Sequence, residues 1–377
     1  MQKLSLFLLL ILFSTSCKEN KTQENAPSIA QTEVKYAEGF TIASFDTHKV
    51  ITLTNPWPGA DVSYRYILKN DDSKIEGESN ADAVLQLPID NIVVTSTTHI
   101  PSLEMLGEAQ SLIGFPNLDY ISSENTRALI AAGKVKELGK NEDLNTELLI
   151  DMNPDVVVTF AVEGANKTIA NIKKTGIPVL YNSDWTETHP LGKAEWIKFF
   201  GALFNKEKEA DSIFDNIERN YNQAKALAAT TTSRPTVLSG AMYKDIWYLP
   251  QGDSWAARFI DDAHGEYLWK DSKGTGSISL NLESVLEKGQ QANFWIGPGQ
   301  FSSYSQMEEV HTVYSQFDAF KSNQVYSFTN KKGETGGVLY YELAPNRPDI
   351  VLKDIIKILH PEIIPDHELY FFSSLVE

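Results

Sequence analysis

The chain has 377 residues and a formal net charge of −17, with 42% hydrophobic and 11% aromatic residues. That length accommodates two domains of ordinary size, each with a substantial core. The acidic balance argues against nucleic acid or anionic lipid headgroups as direct partners, because phosphate attracts basic surfaces, and a single cysteine excludes an internal disulfide.

In chain order, Lys3 precedes an apolar run from Leu4 to Phe13 and the small residues Ser14-Thr15-Ser16. This is the pattern of a secretory signal over residues 1–16, too short to span a membrane. Residues 17–35, headed by Cys17, are polar and predict a flexible tether. Residues 36–90 predict a small antiparallel β extension. Phe40-Thr41-Ile42, Val50-Ile51-Thr52-Leu53 and Val62 to Leu68 are rich in branched and aromatic residues, interrupted by Asn55-Pro56-Trp57-Pro58-Gly59.

Residues 91–191 alternate short apolar strands with helical periods, which predicts an α/β lobe around a parallel sheet. The strands are Ile92-Val93-Val94, Val156-Val157-Val158 and Val179-Leu180-Tyr181, with Thr98 placed to cap a helix running to Leu106. In the region 192–232, Ala194 to Phe204 forms one helical piece that Asn205 interrupts. Lys206 to Ala229 then carries Ala210, Ile213, Phe214, Ile217, Tyr221 and Ala224 on one face. A helix of roughly 22 residues spans about 33 Å, enough to join two lobes. The strand–helix alternation resumes over 233–377 and closes with a helix from Pro348 to Leu359.

The tetrad Leu-Asn-x-Glu occurs twice, at Leu144 to Glu147 and at Leu280 to Glu283. In both copies Asn can cap a helix, Glu sits in its favoured first turn, and an apolar strand follows. Taken with Val93 to Thr98, Gly133-Lys134-Val135, Asn153-Pro154-Asp155 and Gly176 to Val179, these stretches resemble the helical-backbone periplasmic binding proteins of ABC importers for iron–siderophores and cobalamin. The segment Glu187 to Trp196 looks like a subgroup found among lipoproteins, and Cys17 resembles the lipidated cysteine of a bacterial lipobox, with Ser14 where Leu is usual. The resemblance runs from about Asn91 to the C-terminus. It implies two Rossmann-like α/β lobes joined by one long helix, a ligand cleft between them, and an ABC permease as partner. It also implies that Glu147 and Glu283 form salt bridges to that permease, and that the protein lies in the periplasm or cell envelope, held to a bacterial membrane only by lipid.

A metal chelate with macrocyclic or conjugated surface is best gripped by aromatic side chains with a few polar groups. Trp185 follows one parallel strand, while Trp247, Tyr248 and Trp255 follow an equivalent strand in the second lobe. Tyr340 and Tyr341, beyond the Gly333 to Gly337 turn, are expected at the same mouth, with His99 and Arg127 as polar contacts and His189 nearby. No clustered His/Asp set occurs, so direct metal capture is not expected and no cofactor is called for. Seven Trp against six Arg tilt the cargo toward a corrinoid rather than an anionic ferric siderophore. Catalysis would need a nucleophile and base or a cofactor loop, and the sequence holds no Gly-x-Ser-x-Gly, Gly-x-Gly-x-x-Gly or phosphate-loop pattern and no cysteine pair. The alternatives are a haem or other metal-chelate scavenger without a permease and, less favoured, a two-lobed hydrolase.

Overall fold

Branched and aromatic side chains build the first sheet, whose central strands bury successive residues and so are covered on both faces. The computed structural model describes residues 30–72, 74–75, 77–164 and 166–377, so the signal segment, Cys17 and most of the tether lie outside the described residues. Strands β1 (Ala30–Thr32), β2 (Phe40–Ser44), β3 (His48–Thr54), β4 (Ser63–Lys69) and β5 (Ala83–Gln86) lie side by side in that order. Two details differ from expectation. β1 begins inside the stretch read as tether, and β5 runs parallel to β4. The intervening residues 70–82 supply the dozen or so that a parallel crossover needs.

Two buried carboxylates attach this sheet to the rest of the chain. Glu195 accepts the backbone N–H groups of Lys35, Tyr36 and Ala37. Glu187 accepts those of Glu38 and Gly39 and the indole N–H of Trp196. Burial pushes the Glu187 carboxyl up while these donors pull it down. The Glu187–Trp196 segment singled out in the sequence therefore clamps the N-terminal chain rather than lining a site.

The first lobe continues with β6 (Ile92–Val94), α1 (Ile100–Met105), β7 (Leu112–Phe115), α2 (Glu124–Ala131), β8 (Lys136–Glu137) and the hairpin β9 (Gly139–Lys140) and β10 (Asp143–Leu144). It ends with α3 (Thr146–Met152), β11 (Val156–Thr159), α4 (Lys167–Lys174) and β12 (Val179–Tyr181). Its sheet is wholly parallel, in the order β12-β11-β6-β7-β8. The first helical turn is capped by Ser96, which accepts from the Thr98 N–H, and not by Thr98. A 3₁₀ turn over Thr97–His99 precedes α1 and shifts the cap by two residues.

Helices α5 (Pro190–Glu195) and α6 (Ile197–Leu203) replace the single piece expected, and Asn205 ends them at φ 56°. Then α7 (Glu207–Ala228) buries Ala210, Phe214, Ile217, Tyr221 and Ala224, with Ile213 only partly covered. It packs along α6 and the C-terminal helix, and the Tyr221 hydroxyl donates to Asp262 at 2.6 Å. The connecting helix is thus a packed spine and not a free-standing rod.

The second lobe comprises β13 (Thr236–Ser239), β14 (Ala241–Tyr243), β15 (Ile246–Pro250), α8 (Trp255–Asp262), β16 (Glu266–Tyr267), β17 (Ser277–Leu280), α9 (Leu282–Gly289) and β18 (Phe294–Ile296). It closes with α10 (Tyr304–Val310), α11 (Asp318–Lys321), β19 (Val325–Ser327), α12 (Leu339–Leu343), α13 (Pro348–Leu359) and β20 (Ser373–Ser374). Its main sheet, β16-β13-β18-β19-β20, is parallel except for β20. An antiparallel flap, β14-β15-β17, stands beside it. Asn145 caps α3 and Asn281 caps α9, each accepting an N–H three residues on.

Candidate ligand-binding cleft

The parallel strands of both lobes deliver their carboxyl ends to a common cleft, where open α/β sheets place ligands. On the first-lobe side, Thr95, Ser96 and Thr97 follow β6, Phe115 and Pro116 end β7, and Phe160 follows β11. They line a recess of about 290 Å³, together with Asn141, Tyr120 and the segment around Tyr341. The polar groups of this wall are bonded to one another, beside the rings of Phe115, Tyr120 and Phe160. The Thr95 hydroxyl donates to Thr159 at 2.9 Å, and the Asn141 amide donates to the Thr95 carbonyl at 3.2 Å.

On the second-lobe side a cavity of about 780 Å³ opens where β13, β18 and β19 end. Trp255, Phe259, Phe301, Phe328, Tyr340 and Tyr341 provide its aromatic surface, and among the described residues Glu309 is the only charged one of the lining. Tyr340 is buried and stacks on Phe328 at 4.4 Å and 22°. Burial pushes its phenol well above the ordinary range. Tyr341 is half-exposed and lines both recesses, which joins the two walls. Gly240 has a positive φ of 75°, and a Cβ there would lie 1.9 Å from the Tyr248 carbonyl oxygen, so only glycine lets the flap close against β13.

Four aromatic residues expected at the ligand, Tyr248, Trp255, Tyr340 and Tyr341, do meet in this cavity. Trp247 does not. It sits on the inner face of β15, fully buried, with its ring stacked on Trp295 at 5.2 Å. Alternation along β15 explains the exchange, since it sends Trp247 inward and leaves Tyr248 at the cavity. The two indoles support the wall from beneath, Trp247 donating to the Ser239 carbonyl and Trp295 to that of Gly240.

Trp185 is exposed and stands outside the lining of both recesses. Its carbonyl, with that of Asp184, accepts from the buried Lys193 ammonium at 3.0 Å, and that ammonium lies 5.3 Å above the Trp255 ring. Burial lowers the Lys193 pKa, which Asp184 and Glu187 oppose.

His99 is wholly buried beside Phe200 and touches neither recess; burial lowers its pKa to about 4, so the ring is neutral. Its early position in the first helical turn places it under the wall instead of on it. His189 caps α5, its Nδ1 accepting the Leu191 N–H, and burial lowers it to about 4 as well. Arg127 is diverted to the Leu118 carbonyl at 2.8 Å and lines a separate groove between α1, α2 and α12. Among the described residues no three His, Cys, Asp or Glu side chains converge on a metal position. Sequence reasoning missed Phe301, Phe328 and the supporting Trp295. Phe328 was within reach of the strand-end rule, because it directly follows β19.

Residues 92–331 match the family described as periplasmic binding protein. An uncharacterized lipoprotein of Methanocaldococcus jannaschii is 28% identical over 363 residues, covering 90% of this chain and 84% of that one. Among solved structures, a possible iron-binding, periplasmic solute-binding protein from Staphylococcus epidermidis superposes with a TM-score of 0.57 at 17% identity, covering 73% of this chain and all of that one. A periplasmic haem-binding protein of Vibrio cholerae superposes with a TM-score of 0.54 at 15% identity, covering 70% of this chain and 99% of that one. At such identities the structural likeness is one of fold. Among the described residues no helix is long and apolar enough to cross a membrane.

Proposed function

The chain belongs to the periplasmic binding protein family, and from that premise we propose that it captures a metal chelate in the interlobe cleft and hands it to an ABC permease. It is a binder and not an enzyme. The observation that carries the cargo assignment is the second-lobe cavity, with its aromatic lining and no Lys, Arg or His among the lining residues. A ferric siderophore bearing net negative charge would bury that charge without a partner there, which is costly. A chelate with a broad, largely neutral macrocyclic face suits the cavity, and a corrinoid fits best. Haem is the second reading, supported by the haem-binding protein of like fold.

Glu147 and Glu283 are the proposed docking residues. Each is exposed in the first turn of a helix, α3 or α9, that runs back toward the strand after it, β11 or β18. A helix antiparallel to its strand begins near the strand's carboxyl edge, so both carboxylates belong to the cleft side of their lobes. Opposite charge on a permease would fix register and speed association. Lipid on Cys17 would hold the protein to the membrane at the cell envelope.

Tryptophan fluorescence of the pure protein, titrated with cyanocobalamin, haem and an anionic ferric siderophore, tests the assignment. Saturable one-to-one quenching by a corrinoid or haem, with none by the siderophore, is expected because Trp255 forms part of the wall. Tight siderophore binding with indifference to both tetrapyrroles would overturn it.

A further inference from the structure

The arm that carries Tyr340 and Tyr341 has a second face. Residues 332–343 leave the second lobe after β19 and cross to the first lobe, where they separate the Tyr341 recess from the groove between α1, α2 and α12. At the crossing the Glu342 carboxylate accepts the backbone N–H groups of Ser122 and Ser123, at 2.6 and 3.0 Å, just ahead of α2. Thr335 donates to the Asp119 carbonyl at 2.7 Å. Asn346 donates to the Thr98 carbonyl and accepts from the Ser102 hydroxyl, both at 2.8 Å. Gly333 and Gly337 lie so close to Ser122 that a Cβ on either would come within 2.8 Å of it.

We propose that this arm is an interlobe latch, fastened by Glu342 on the Ser122 and Ser123 amides, which must release before the lobes part and a ligand reaches the aromatic cavity. Tyr340 and Tyr341 precede Glu342 directly, so release would move cavity wall and fastening together. Occupancy of the cavity and closure of the lobes are thereby linked through one short helix, α12.

The latch is also built to respond to protons. Burial pushes the Glu342 carboxyl up to about 7; the two amides oppose this, and the nearby Glu104 carboxylate adds to it. Glu104 is itself engaged by the hydroxyls of Ser123 and Thr126. The other charged groups on the adjoining groove are Glu124 and Arg127 of α2, Lys332 and Glu334 of the arm, and Arg347, which is paired with Asp349. Once released, Glu342 would face water and return to the ordinary carboxylate range near 4.5. The latched form therefore holds a proton more firmly than the released form. Its advantage is whole at the acidic end and is lost as pH rises through about 7.

Amide hydrogen exchange on the full chain tests the latch without any ligand. Protection of the Ser122 and Ser123 amides, corrected for intrinsic rate, should rise as pH falls from about 8 to about 5. Glu342→Ala should lower that protection roughly three- to tenfold, as expected for loss of a buried acceptor. Glu342→Gln, a neutral acceptor like the protonated acid, should keep most of the acidic-end protection and abolish the pH dependence. Equal protection in wild type and Glu342→Ala, or an unchanged pH profile in Glu342→Gln, would overturn the proposal. The ligand-access part rests on the binding function above, and stopped-flow quenching by cyanocobalamin and by haem should show faster association in Glu342→Ala. If neither probe binds, the cargo assignment fails while the exchange result still decides the latch.

Discussion

The two walls of the cleft differ in how many polar side chains they present. The first-lobe wall mixes the hydroxyls and amide of Thr95, Ser96, Thr97 and Asn141 with Phe115, Pro116 and Phe160 around a recess of about 290 Å³, whereas the second-lobe wall is an aromatic bowl of about 780 Å³ with a single charged residue. Their supports differ in the same sense. Under the aromatic wall, two stacked indoles use both N–H groups on strand-end carbonyls. Under the polar wall, His99 is buried with neither ring nitrogen hydrogen-bonded. Under the proposed function the difference is a division of labour, in which apolar area in one lobe would supply grip and fixed polar groups in the other orientation, as small-molecule sites generally combine the two.

The sharpest way to break this comparison is to remove the support of the aromatic wall. Trp247→Ala should destabilise the protein by about 3–5 kcal/mol, since it empties a fully buried indole site, and a denaturant melt would show the loss. If stability held while affinity fell, Trp247 would be a ligand contact and not a support beneath the wall.

The polar wall should fail through pH instead. The folded His99 pKa lies below the ordinary histidine value, so the unfolded chain takes up the proton first on acidification. The stability at this site is whole above about 6.5 and is lost as pH falls toward 4. At full extent the loss is on the order of 3 kcal/mol. His99→Leu should flatten that part of the stability profile, and a melt series across pH would reveal a profile that fails to flatten.

Tyr341 sharpens the comparison because it belongs to both walls. Tyr341→Ala should weaken binding of the quenching ligand by about 1–3 kcal/mol, with the midpoint of thermal unfolding nearly unchanged, given its exposure. The smallest effect on affinity is expected outside the cleft. Glu147→Arg with Glu283→Arg should leave ligand affinity intact and impair uptake in cells, each exposed pair being worth about 1 kcal/mol. Lost affinity in the purified double variant would remove both residues from a docking role.

Local periodicity carried most of the elements. The final helix occupies Pro348–Leu359 as read, and the long helix departs by one residue at each end. Strand order could not be read this way, because hydrogen bonding between distant strands leaves no mark on local pattern. The parallel pairing of β5 and the antiparallel return of β20 are of that kind. Site residues divided on the same principle. Tyr248 lies where a strand-end argument puts it and Tyr341 where the Gly333 to Gly337 turn does, while Trp247, one position from Tyr248, points into the core. Aromatic content singles out both neighbours equally, and only the phase of β15 against its flap separates them.

Apolar period and turn signals by themselves marked the strand–helix alternation and a long helix, and the resemblance of several stretches to a known family added two lobes and a binding role. Which aromatics face the cleft, and the contact of a glutamate with amides 219 and 220 residues away, were decided only in three dimensions. The physical reason is that side-chain direction and long-range hydrogen bonds depend on how elements pack, and packing depends on partners far away in the chain.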